Sequence, residues 1–99
     1  MNLILKVHRT GDGRKLVCIT DENLIGTKVE ENQRQLDFSS AFYKGEPRPH
    51  DLMEKHIKSS YMTIFSGKEA IAFGEKLGFV DMNSVLRIGD VPQAQVLIG

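Results

Sequence analysis

Tyr43, Lys44 and Glu46 stand within "FYKGE", a phenol, an ammonium and a carboxylate on one irregular stretch. Such a set could orient a small anionic substrate and move a proton on it, provided burial lowered the lysine pKa. A second polar group surrounds "IGDVPQAQV", where Arg87, Asp90, Gln93 and Gln95 flank a turn and could hold an anion or an amide. Gly89 and Pro92 are sufficient by themselves to turn the backbone there. The binding residues read from these stretches are Tyr43, Lys44, Glu46, Arg87 and Gln93, and no residue is assigned a catalytic role. A third group is electrostatic. Lys6, Arg9, Arg14 and Lys15 oppose one acid, Asp12, in the first twenty residues, and a basic hairpin of that kind could track an RNA backbone.

Other motifs carry less. "TGDGRK" lacks the phosphate-loop spacing and leads into a strand, so a hairpin turn is expected. His8, His50 and His56 are too scattered for a metal site, and neither metal nor cofactor is expected. Ser39-Ser40 has no nucleophile elbow around it. The carboxylate pairs Asp21-Glu22 and Glu30-Glu31 are neighbours on extended chain, point apart, and are expected in solvent. Cys18, the lone cysteine, sits in apolar "KLVCIT" and reads as a buried, inert thiol. Thirteen Lys and Arg balance thirteen Asp and Glu. Duplex DNA is therefore not an expected partner, because its binders carry a basic excess.

These side chains must be positioned by elements. At 99 residues the chain makes one domain, 1–99. Leu3–Thr10 and Lys15–Thr20 alternate as strands around Asp12-Gly13, a hairpin signal. "TKVEE" and "QLDF" read as two shorter strands around "NQR", with Val29, Leu36 and Phe38 inward. Gly45, Pro47 and Pro49 then exclude regular structure, while Phe42 and Tyr43 pin the segment. Two helices follow, with capping boxes at Asp51/Glu54 and Ser66/Glu69. The first places Met53, Ile57, Tyr61 and Ile64 on one stripe. The second stops at Gly78. Its Ala70, Gly74 and Gly78 mark close approach to a sheet or, in the rival reading, a homodimer seam. Val85–Ile88 and Gln93–Ile98 close the chain. Four strands, two helices and two strands imply an α+β two-layer sandwich: a mostly antiparallel sheet of about six strands with the helices on one face.

Three stretches taken together, "LIGTKVEE" at 24–31, "FYKGE" at 42–46 and "IGDVPQAQV" at 88–96, resemble the archaeal family known as domain of unknown function 424. The similarity runs in the same order through nearly the whole chain. It implies a small, archaeal, cytoplasmic α/β domain in a translation-related setting, and it implies no activity. It also implies His in many relatives at the position of Gln93, which puts a catalytic or metal role there in doubt.

The leading expectation is thus a non-enzymatic binding module for a protein or ribonucleoprotein partner. An enzyme acting through Tyr43-Lys44-Glu46 and an RNA binder acting through the N-terminal hairpin are the alternatives. The apolar run in "MNLILKVHRT" is too short to span a membrane, no leader pattern is present, and a cytoplasmic location is expected.

Overall fold

Leu3, Leu5 and Val7 share one side of β1 (Leu3–Arg9) in the computed structural model, which describes residues 2–99. β2 (Lys15–Asp21) returns antiparallel, with Leu5 opposite Ile19 and Val7 opposite Val17. The turn closes because Gly13 takes φ +86° and the Thr10 N–H donates to the Arg14 carbonyl at 2.8 Å. β3 (Lys28–Glu31) and β4 (Arg34–Asp37) follow as a second hairpin. Its Asn32 and Gln33 both have positive φ, the hand a tight hairpin needs.

The rest of the chain runs β5 (Glu46–Pro47), α1 (His50–Lys58), β6 (Met62–Ser66), α2 (Lys68–Lys76), β7 (Leu86–Ile88) and β8 (Val91–Leu97). The fold is α+β, with a six-stranded sheet in the order β5-β1-β2-β6-β8-β7. Among the described residues only β2 and β6 pair in parallel, so the sheet is mostly antiparallel. Its membership differs from the expected one. β3 and β4 form a sheet of their own, and β5 and β6 take their places. β5 lies inside the segment expected to lack regular structure; an edge strand tolerates Pro47 because nothing there requires its missing N–H.

A larger correction concerns Met53, Ile57, Tyr61 and Ile64, which do not share a helix. α1 ends at Lys58, where Ser60 takes the Ile57 carbonyl through both its N–H and its hydroxyl. The Tyr61 N–H then donates to the Lys15 carbonyl at 2.8 Å, and the chain enters β6, an inner strand. A strand covered on both faces shows little alternation, so its apolar residues continue a helical pattern by chance.

Neither expected capping box forms. Asp51 is already inside α1, and its carboxylate accepts the Leu52 N–H. Ser66 ends β6, and α2 begins after Gly67 at φ +107°. The free N–H groups of Glu69 and Ala70 reach instead to the Asp21 carboxylate, at 3.1 and 2.7 Å. Asp21 is therefore buried, not solvated as expected. A Cβ on residue 67 would lie 2.3 Å from the Asp21 carboxyl carbon, so glycine is required twice over.

Met53 and Ile57 of α1 and Ala70 and Ile71 of α2 join one cluster with Leu5, Val17, Ile19, Phe65 and Ala94, so both helices pack on one sheet face. Gly74 lets α2 approach: a Cβ there would meet Val80 and the Phe65 ring. Ala70 and Gly74 are buried in that contact, while Gly78, the third residue of the stripe, is exposed. The opposite face is covered near one end by the β3–β4 hairpin and the segment after it. Leu36 and Phe38 pack there with Val91, Tyr43 and Ile88. Among the described residues no helix is long and apolar enough to cross a membrane.

Candidate functional site

β2 begins with Lys15 and ends with Asp21, and the surroundings of the two ends differ in charge. Near Asp21 the surface carries Asp90 beside Lys68. Around Lys15 an open hollow of about 430 Å³ is lined by Arg9, Arg14, Lys15, Lys58, Ser59 and Tyr61, together with Gly13, Ser60 and Gly99. Among the described residues no acidic side chain lines it, while Asp12 pairs with Arg14 at 3.1 Å and Glu54 with Lys58 at 3.0 Å just outside. The formal neutrality of the chain thus conceals a basic pole.

Local structure builds this pole. The tight β1–β2 turn throws Arg14 outward, where Asp12 holds its Nε at 3.1 Å and the guanidinium carbon sits 4.3 Å from the centre of the Tyr61 ring. The Thr10 hydroxyl and then the Arg14 N–H bond the Asp12 carboxylate and hold its pKa below the usual value. Lys15 is buried and donates to the Ser59 hydroxyl. Burial, and secondarily Arg9, lowers its pKa. His56 on α1 is shifted down as well, by burial first and then by Lys15 and Arg9. Cations have been brought close enough to repel one another, and an anion placed among them would relieve that repulsion. Tyr61 is 39 % exposed and held by its backbone between β2 and the C-terminal segment.

Three of the four hairpin cations named from the sequence therefore converge: Arg9, Arg14 and Lys15. Lys6 does not join them. It points to the other sheet face and lines a second hollow, of about 500 Å³, with Lys44, Glu46, Arg48 and His56. Lys58 and Tyr61 were missed by sequence reasoning. The helical spacing places Tyr61 on a buried stripe, whereas the usable signal is "KSSY", a lysine and an aromatic flanking two helix-ending serines.

The five residues read from "FYKGE" and "IGDVPQAQV" are divided by the fold. Tyr43 and Gln93 meet: the Gln93 amide lies 3.5 Å from the Tyr43 hydroxyl and donates to the Ser66 hydroxyl at 2.9 Å. Burial raises the Tyr43 pKa, and the contact with Gln93 opposes that shift. Phe38 and Phe42 pack on the ring, which makes this a packed polar contact and not a hollow. Lys44 and Glu46 turn away to the edge of β1. Arg87 of β7 pairs with Pro92 of β8, while Leu86 pairs with Gln93, so strand alternation puts Arg87 and Gln93 on opposite faces. No composite site of Tyr43, Lys44, Glu46 and Arg87 exists in this arrangement. The Gly89-Asp90 turn is held by a Gly89 N–H donated to Glu31, which docks it on the β3–β4 hairpin. Among the described residues, no three His, Cys, Asp or Glu side chains gather as metal ligands would.

A family model described as "Protein of unknown function (DUF424)" matches residues 8–98. No curated protein matches the chain. Among solved structures, an uncharacterized conserved protein from Methanopyrus kandleri is similar, with a TM-score of 0.78 and 24% identity over 99% of this chain and 92% of that one. That likeness shows a shared fold.

Proposed function

The chain belongs to the DUF424 family, the one its three stretches resemble, and from that premise we propose that it is a binding module for the single-stranded RNA of a cytoplasmic ribonucleoprotein. One observation carries the reading: Arg9, Arg14, Lys15 and Lys58 line one hollow beside an exposed tyrosine, with Asp12 and Glu54 pairing Arg14 and Lys58 from outside its lining. Single-stranded RNA is bound by this combination, cations following the phosphates and an aromatic ring stacking a base. The Tyr61 hydroxyl adds a neutral donor for phosphate or ribose oxygens. Duplex DNA fits less well, because the chain has no net positive charge and the cations occupy one small pole.

The test is binding of a fluorescein-labelled oligouridylate followed by anisotropy. Lys58→Ala and Tyr61→Ala are each expected to weaken binding by roughly tenfold, since one stacked base contributes about 1–3 kcal/mol. Tyr61→Phe should keep most of the affinity. Equal binding by the wild type and both alanine variants overturns the reading.

A further inference from the structure

We propose that the outer edge of β1, beyond β5, takes an acidic extended peptide as an added strand. β5 pairs with β1 at Ile4 and Leu5, and Gly45 before it lies against Leu5 and Lys6. The Thr10 N–H bonds to Arg14 across the hairpin, so by the alternation of an antiparallel pair His8, Lys6 and Ile4 also bond toward β2. The N–H and C=O of Val7 and Arg9 then point outward, and among the described residues no other strand meets them. An unpaired edge of this kind is a template for one more strand.

The surroundings select the occupant. The hollow along this edge is lined by Lys6, Lys44 and Arg48 against one acid, Glu46, beside the imidazole of His56. A second copy of the chain would bring its own Lys6 and Arg9 against these cations, so edge-to-edge self-pairing is repelled. A strand carrying carboxylates on alternate residues meets the opposite charge on the face it shares with Lys6. The backbone contact supplies register, and the side chains supply sign.

The probe is an acetylated, amidated octapeptide alternating Glu and Val. Its binding to the ¹⁵N-labelled full chain is followed by amide shifts and by hydrogen exchange. Three controls accompany it: the Lys-Val peptide, the Glu-Val peptide N-methylated at every amide, and the Lys44→Glu/Arg48→Glu variant. At saturation the exchange of the Val7 and Arg9 amides is expected to slow at least about fivefold, as new strand hydrogen bonds require. The N-methylated and lysine peptides, and the charge-reversed variant, should each bind about tenfold more weakly or worse. Unchanged exchange at Val7 and Arg9 under saturation overturns the proposal. So does equal affinity of the N-methylated peptide, or absence of binding up to about 1 mM, the weak end of peptide recognition.

Discussion

Asp21, the last residue of β2, accepts the Ala70 N–H at 2.7 Å and so caps a helix that begins beyond an entire crossover. The same carboxylate takes the Glu69 N–H and leaves no room for a side chain on Gly67. One contact thereby fixes how α2 enters against the sheet.

Removing it should be costly. Asp21→Ala leaves the buried Ala70 N–H and the part-buried Glu69 N–H without their acceptor, and a loss of about 1–3 kcal/mol is expected. Gly67→Ala should destabilise by at least about 1 kcal/mol through its positive φ, with a further clash against Asp21. In the double variant the clash is gone, so the two losses should sum to more than the pair shows. Urea denaturation measures all three. Strict additivity would mean that Asp21 and Gly67 do not share the site.

Acid should shift the balance in a definite direction. Burial, the largest influence on the Asp21 carboxyl, raises its pKa above 3.8 against the opposing Glu69 and Ala70 amides. A folded-state pKa above the unfolded one means that the folded chain holds the proton more tightly. This group's contribution is therefore full below the unfolded pKa and is lost as pH rises through the folded value. Wild type compared with Asp21→Asn should gain relative stability as pH falls from neutral toward 3.8, measured by urea midpoints across that range. A relative loss on acidification contradicts the assignment.

Cys18 should be silent. It is fully buried on the central strands, and burial pushes its thiol up to about 12. A disulfide reagent at pH near 8 is expected to modify it only as fast as the chain unfolds, tracking urea concentration. Rapid labelling of the native protein would place the thiol at the surface.

Much of this architecture is written locally. The β1–β2 hairpin follows from alternation and Asp12-Gly13, and the β3–β4 hairpin from its polar turn with Val29, Leu36 and Phe38 inward. β6 was not legible, because an inner strand buried on both faces lacks a two-residue period and Tyr61 and Ile64 happened to continue the spacing of α1. Which sheet a short hairpin joins is likewise not encoded in its own residues. The α2 cap was hidden for another reason: its acceptor, Asp21, lies 49 positions before Ala70. The basic pole was half visible. Arg9, Arg14 and Lys15 are close in sequence, whereas Lys58 and Tyr61 reach them only through the crossover.

Close packing of α2 makes Gly74→Ala a sharp probe. The added methyl would lie 2.5 Å from a Val80 methyl and 2.9 Å from the Phe65 ring. Overpacking of about 1–3 kcal/mol should outweigh the gain of up to about 1 kcal/mol in helix propensity. A lower melting temperature is expected, and a higher one would show that the sheet can recede.

The RNA reading is tested most directly by salt. The affinity of the wild type for a labelled oligouridylate, plotted as log K against log salt concentration, should fall with a slope of about −2, as three phosphates meeting Arg9, Arg14 and Lys58 predict. Lys58→Ala should make that slope shallower by about 0.7, one counterion's share for a single strand. A flat plot, or a slope that the Lys58 substitution leaves unchanged, contradicts phosphate binding at this pole.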